Sequence, residues 1–260
     1  MSALPRITVI TPSYNQGKYI EQTIASVLVQ EYPNLEHLIV DGGSTDQTLE
    51  VLRKYGQQLR WVSEPDRGQS HAINKGLAQA TGDVICYLNS DDLFTPGALS
   101  RVGRFFQDHP QAFWLTGKCR IVNQDGNEIR RPGTLYKNFW LHRRSLKVLS
   151  VLNYISQPAT FWRREAFDRV GYFDERWYFA MDYDYWLRLG QHYQLWFLDE
   201  TLACFRVHPA SKGSSSAKSQ FDEQLQVARQ HVSSHMLLKL HALHNILSVT
   251  AYNFALGLRK

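Results

Sequence analysis

Short apolar runs alternate with amphipathic segments along the first hundred residues. "RITVITP" (6–12), "LEHLIVD" (35–41), "LRWVSE" (59–64) and "DVICYLN" (83–89) are β-branched and bounded by turn residues, as strands are. Between them Tyr19, Ile20, Ile24, Val27 and Leu28 share one helical face, and Leu49, Val51 and Leu52 another. Strand and helix in regular alternation predict βαβ units and an α/β fold with a mostly parallel central sheet. Ligands of such sheets bind beyond the carboxyl ends of the strands. "TPSYN", "DGGSTD", "SEPDRG" and "NSDD" all fall there.

After residue 113 the pattern is mixed. "FWLTGKCRIVNQDGNEI" (113–129) predicts strands around a hairpin turn at "QDG". A helical stretch is expected near 136–149, and strands at 193–199 and 202–208. "SKGSSSAKSQ" (211–220) reads as a flexible connector. Phe221, Leu225, Ala228, Val232, Met236, Leu240, Leu243 and Leu247 then recur at helical steps. The chain divides into a domain at 1–210 and a linker with a C-terminal helical extension at 211–260.

Composition narrows the classes. At 260 residues with 43% hydrophobic and 20% charged positions, the chain has the make-up of a globular enzyme. The charge of +5 and pI near 9.1 suit an anionic ligand or membrane surface, but no Lys/Arg block suggests nucleic acid. Three scattered cysteines give neither a zinc site nor a disulfide framework. The start, "MSALPRITVITPSYN", has no apolar leader core and no run is long enough to span a bilayer, so a cytoplasmic protein is expected.

Two carboxylates, Asp91 and Asp92, end the apolar run "DVICYL". Side by side they repel, and burial disfavours both charges. Either "NSDD" caps the following helix, or a cation or polyhydroxyl ligand offsets the repulsion. "DGGSTDQT" (41–48) likewise fits a capped turn or a close approach to a ligand. Neither GxGxxG nor GK[ST] is present, which counts against dehydrogenases and P-loop ATPases.

In order along residues 6–210, "VITPSYNQGKYIEQTIASVLVQEYPNLEHLIVDGGSTDQT", "DRGQSHAINKGLAQATGDVICYLNSDDLFTPGAL", "QPATFWRREAFDRVGYFDE", "MDYDYWLRL" and "FRVHPASKG" resemble glycosyltransferase family 2. The resemblance implies a GT-A fold and inverting transfer of a sugar from a nucleotide-sugar donor, assisted by Mg²⁺ or Mn²⁺. The implied acceptor is a glycan or a lipid-linked glycan. By the same resemblance Thr11, Pro12, Tyr14, Asn15, Asp41, Asn89 and Asp91 hold the donor, Asp92, Asp91 and His208 the metal, and Asp182 is the catalytic base. Asn89 stands where many members have Asp, and Met181 where Glu is common. These departures keep a non-catalytic binding relative in view, and a nucleotidyltransferase is the other rival. The C-terminal helix, ending in Arg259-Lys260, would lie peripherally on an anionic membrane, pair with a second subunit, or fold back on its own domain.

Overall fold

A computed structural model describes residues 3–209, 211–212 and 217–257. The strands are β1 (Ile7–Ser13), β2 (Leu35–Asp41), β3 (Arg60–Ser63), β4 (Val84–Tyr87), β5 (Leu93–Phe94), β6 (Trp114–Val122), β7 (Thr160–Arg163) and β8 (Leu195–Arg206). They form one sheet in the order β3-β2-β1-β4-β7-β6-β8-β5. The first four strands are mutually parallel, as their alternation with helices dictates. The chain goes outward from β1 to β3, then returns through helix α3 (Gln69–Gln79) to place β4 on β1's other side. The reversal of strand order opens a crevice at the carboxyl ends of β1 and β4, where "TPSYN" and "NSDD" lie.

The other half departs from the expected parallel pattern. β7 runs antiparallel to both β4 and β6, and β5 antiparallel to β8. Residues 193–208, expected as two strands, form a single β8 whose pairing with β6 shifts register around Gly117–Cys119. The polar "DET" there is a bulge rather than a break. A Cβ on Gly117 would meet Leu202 at 2.5 Å, so glycine lets the bulged strand close. The expected hairpin at 113–129 is reduced to β6 and one bridge, Val122 to Glu128.

Alternation along the strands fills both faces of the sheet. Ile85 and Tyr87 point into a core with Trp114, Trp162 and Trp186, while Val84 and Cys86 point into the opposite core with Leu99 and Phe161. The helical region near 136–149 is two pieces, α5 (Arg131–Leu141) and α6 (Leu146–Leu149), separated at Arg144 by a positive φ of 47°. Helix α8 spans Met181–His192. Of the expected connector 211–220, residues 213–216 lie outside the described residues, and Ala217–Gln220 already belong to helix α9 (Ala217–His231). α9 folds back on the domain, placing Val227 and Ala228 in the main core. Helix α10 (His235–Gly257) follows. None of the described helices is long and apolar enough to cross a membrane.

Candidate active site

"NSDD" is a tight turn, not a helix cap: Asp92 N–H donates to Asn89 C=O at 3.0 Å, and the next helix, α4 (Ala98–Asp108), starts only at Ala98. The turn sends its two carboxylates in opposite directions. Asp92 is fully buried, its Oδ1 accepting from the Arg206 N–H (2.8 Å) and its Oδ2 from the Asn89 amide (3.1 Å). Burial first, and then the Asp91 charge, raise its carboxyl well above the usual range, against the pull of those donors and of the Arg206 guanidinium. Asp91 keeps partial exposure and meets His208 Nε2 at 3.0 Å.

His208 is held from behind. Its N–H donates to Ser211 Oγ (2.9 Å), and its ring packs 4.3 Å from the Tyr19 ring. The buried Arg206 guanidinium lies 5.1 Å over the same Tyr19 ring, and its Nε and Nη1 find no hydrogen-bond partner among the described residues. Tyr19 thus joins the loop after β1 to the end of β8. Asn89 is also fixed: its Oδ1 accepts from Gln69 (2.6 Å), and its amide also donates to Gln157 (3.2 Å).

On the β1–β2 side, Asp41 is buried at the end of β2 and organises its own turn. It accepts from the N–H groups of Gly43 (3.1 Å) and Ser44 (2.8 Å) and from the hydroxyls of Ser44 (2.5 Å) and Ser63 (2.7 Å). Asn15, at φ 52°, bridges to this turn by accepting from Thr45 N–H at 2.9 Å. Tyr14 beside it is 60% exposed. Thr11 and Pro12 are buried in β1, and Thr11 Oγ1 is engaged with His37 at 3.0 Å.

Asp182 opens α8, half-buried, accepting from the Tyr183 N–H at 2.7 Å. Burial raises its carboxyl above the ordinary range, while Lys137, Lys212 and a hydrogen bond from Asn153 oppose the rise. Lys137 comes from α5, its own ammonium lowered by burial against the pull of Asp182 and Cys119. Burial brings Lys212 down to about 8, countered by Glu223 and Asp182. Lys212 Nζ donates to Gln69 (3.0 Å), the residue that also holds Asn89, so one relay of side chains joins the "NSDD" turn to the Asp182 region. Met181 is buried, its sulfur 2.8 Å from Ser70 Oγ, and adds no charge where a Glu would.

Asp184, two residues on, faces away. It is buried and binds Arg188 (2.8 Å) and His231 of α9 (2.7 Å). α9 also supplies Glu223, whose carboxylate accepts from the N–H groups of Tyr178 (2.8 Å), Phe179 and Ala180 (2.6 Å). It thereby fixes the loop that begins α8.

The fold therefore brings Asn89, Asp91, His208 and Asp182 to one end of the sheet, with Asp41, Tyr14 and Asn15 on the flanking turns. It turns Asp92 and the Thr11 side chain into the protein. Among the described residues no three His, Cys, Asp or Glu side chains converge as a metal cluster. Asp91 and His208 are a fitting oxygen and nitrogen donor pair for a divalent cation; both oxygens of Asp92 already accept from the protein and are shut off from solvent. Gln69, Lys137, Asn153 and Gln157 were not anticipated. Gln69 and Gln157 lie in the matching strings "DRGQS" and "QPATF" without a role assigned to them there, whereas Lys137 and Asn153 lie in no motif.

The glycosyl transferase family 2 model matches residues 8–171, ending before α8. A putative teichuronic acid biosynthesis glycosyltransferase, TuaG of Bacillus subtilis, is 38% identical over 129 residues, 48% of this chain and 51% of its own. Staphylococcus aureus TarS 1–349, solved with UDP-GlcNAc, superposes with a TM-score of 0.68 at 21% identity over 88% of this chain and 67% of its own. The mannosyltransferase PcManGT of Pyrobaculum calidifontis, solved with GDP-Man and Mn²⁺, gives 0.70 at 22% identity over 94% and 69%. These superpositions establish the GT-A architecture, with its sheet and C-terminal helices. Because the family model covers well over half of the chain, this protein belongs to glycosyltransferase family 2 and is a glycosyltransferase.

Proposed function

We propose that this enzyme transfers one sugar from a nucleotide-sugar donor to a hydroxyl of a glycan, free or lipid-linked, with inversion at the anomeric carbon. The observation that carries the reading is the relay from Asn89 through Gln69 to Lys212, whose charge is felt at Asp182. It ties the strand-end acidic turn to the carboxylate at the start of α8. The nucleotide part of the donor fits the crevice flanked by the β1 and β2 turns. Support for the donor class comes from TarS and PcManGT, solved with UDP-GlcNAc and GDP-Man.

Asp91 and His208 would hold Mg²⁺ or Mn²⁺, which would offset the charge of the leaving diphosphate. Asp182 takes the proton of the acceptor hydroxyl as it attacks. A carboxylate raised by burial is a stronger base than an exposed one. Lys137 and Lys212 favour its ionised form, opposing its burial. Purified protein incubated with UDP-, GDP- and dTDP-sugars and Mn²⁺ should slowly hydrolyse one donor class. Nucleoside diphosphates of that class should raise the melting temperature. Absence of both hydrolysis and thermal shift with every donor would overturn the reading.

A further inference from the structure

Helix α10 is built inside out for a surface helix. Its inward positions include His241 and Asn245, both buried, with His241 Nδ1 3.0 Å from the Ser150 carbonyl oxygen and Asn245 donating to the Phe221 carbonyl at 2.7 Å. Its outward positions carry Met236, Leu240, Leu243 and Leu247, at 68%, 44%, 52% and 61% exposure. A water-facing helix has the opposite distribution, and an apolar outer face calls for a covering.

α5 extends that face. Tyr136 of α5 stacks parallel to His244 of α10, with centroids 6.4 Å apart. Beside this contact Leu135 and Phe139 are 68% and 49% exposed. The Arg143 guanidinium lies 3.7 Å over the Phe139 ring, so cation and apolar surface are presented together. Arg144, Lys147 and Lys239 are exposed around it. The chain has 24 acidic residues, yet no Asp or Glu occurs between Arg130 and Arg164, or anywhere after Glu223. The two acid-free segments are distant in sequence and are brought side by side by the fold.

From this juxtaposition we infer that α5, α6 and the outer face of α10 together form a docking surface for an anionic lipid bilayer. Apolar side chains enter the headgroup boundary while the surrounding cations meet lipid phosphates. A second copy of the chain is the poorer occupant, because a two-fold contact would set these cations against one another, and the carboxylates flanking α5, Glu128 and Asp199, already face Arg131, His142 and Lys118. The surface includes α5, which also supplies Lys137 to Asp182. Docking would therefore turn the Asp182 side of the protein toward the bilayer. The inference needs no particular donor or acceptor and stands apart from the proposed reaction.

The test is co-sedimentation of the full chain with vesicles of phosphatidylcholine alone and of phosphatidylcholine with phosphatidylglycerol. Partitioning should favour the anionic vesicles by roughly tenfold or more and weaken at high ionic strength. Leu243→Glu with Leu247→Glu on α10, and separately Phe139→Glu on α5, should each release the protein while leaving its melting temperature unchanged. Should either variant fail to fold, Lys147→Glu with Lys239→Glu provides the same reading through charge alone, at roughly fivefold per cation. Equal binding to both vesicle types, or full binding by Phe139→Glu, would overturn the proposal. So would sedimentation showing a dimer that Leu243→Glu with Leu247→Glu dissociates.

Discussion

The turn at 89–92 and the start of α8 each present two nearby carboxylates, and each divides them in the same way. Asp91 and Asp182 keep partial exposure, while Asp92 and Asp184 are buried and committed to the fold. The means differ. Asp92 is held by neutral donors, a backbone N–H and an amide, and burial raises its carboxyl. Asp184 has the Arg188 guanidinium and the His231 ring. The first pair shares a crowded turn in which one charge disfavours the other. The second pair is separated by helical geometry, so Asp184 binds its partners without involving Asp182. Adjacent acidic residues in a motif are therefore not interchangeable ligands.

The sharpest way to break this comparison is at α8. Asp182→Asn should lower turnover by roughly a hundred- to ten-thousand-fold, as loss of a general base does. Nucleoside diphosphate affinity, read by thermal shift, should barely change. If Asp184→Asn were instead the inactive variant, the division of roles would be reversed. Next in size, Asp184→Ala should destabilise the fold by about 3 kcal/mol in urea titrations, since it strands a largely buried Arg188. Asp182→Asn should leave the same transition nearly in place.

The turn at 89–92 gives a subtler contrast. Asp91→Asn should remove the Mn²⁺-dependent part of nucleoside diphosphate binding, measured by calorimetry with Mn²⁺ and with EDTA. Asp92→Asn keeps an acceptor for the Arg206 N–H but sets its own NH2 against the Asn89 amide, so the melting temperature should fall while the metal dependence holds. Loss of the Mn²⁺ effect in Asp92→Asn alone would return the metal to Asp92.

The smallest effects are in the pH profile of turnover. As the proposed base, Asp182 must be ionised, so activity should fall with acidification at a pH above the ordinary carboxylate range. Lys137→Met removes a charge that favours the ionised form and should move this limb to higher pH. Lys212→Met removes the second charge that favours the ionised form and should move the same acid limb upward. An acid limb unmoved in Lys212→Met would refute the role of Lys212.

Much of this was legible in the sequence, for local reasons. The βαβ half follows from strand and helix periodicity, and the strand-end turns are set by nearby Gly, Asp and Asn. The mixed half was less legible: β5 is two residues long, and the polar bulge in β8 imitates a strand boundary. No local pattern tells which of Asp91 and Asp92 turns inward, because the deciding N–H belongs to Arg206, 114 positions away. Lys137 and Asn153 were silent for the same reason; a lone Lys or Asn acquires meaning only from what the fold sets beside it.

The clasp of Glu223 on the N–H groups of Tyr178, Phe179 and Ala180 has a consequence for synthesis. During translation every strand of the sheet, and Asp182 itself, leaves the ribosome before Glu223 does. In a nascent chain with a finished sheet the loop before α8 is not yet anchored, and on the proposed mechanism competence would arrive only with the final helices. Chains stalled before and after α9 should accordingly differ in donor turnover although both bind nucleotide, making the C-terminal segment a built-in delay between folding and function.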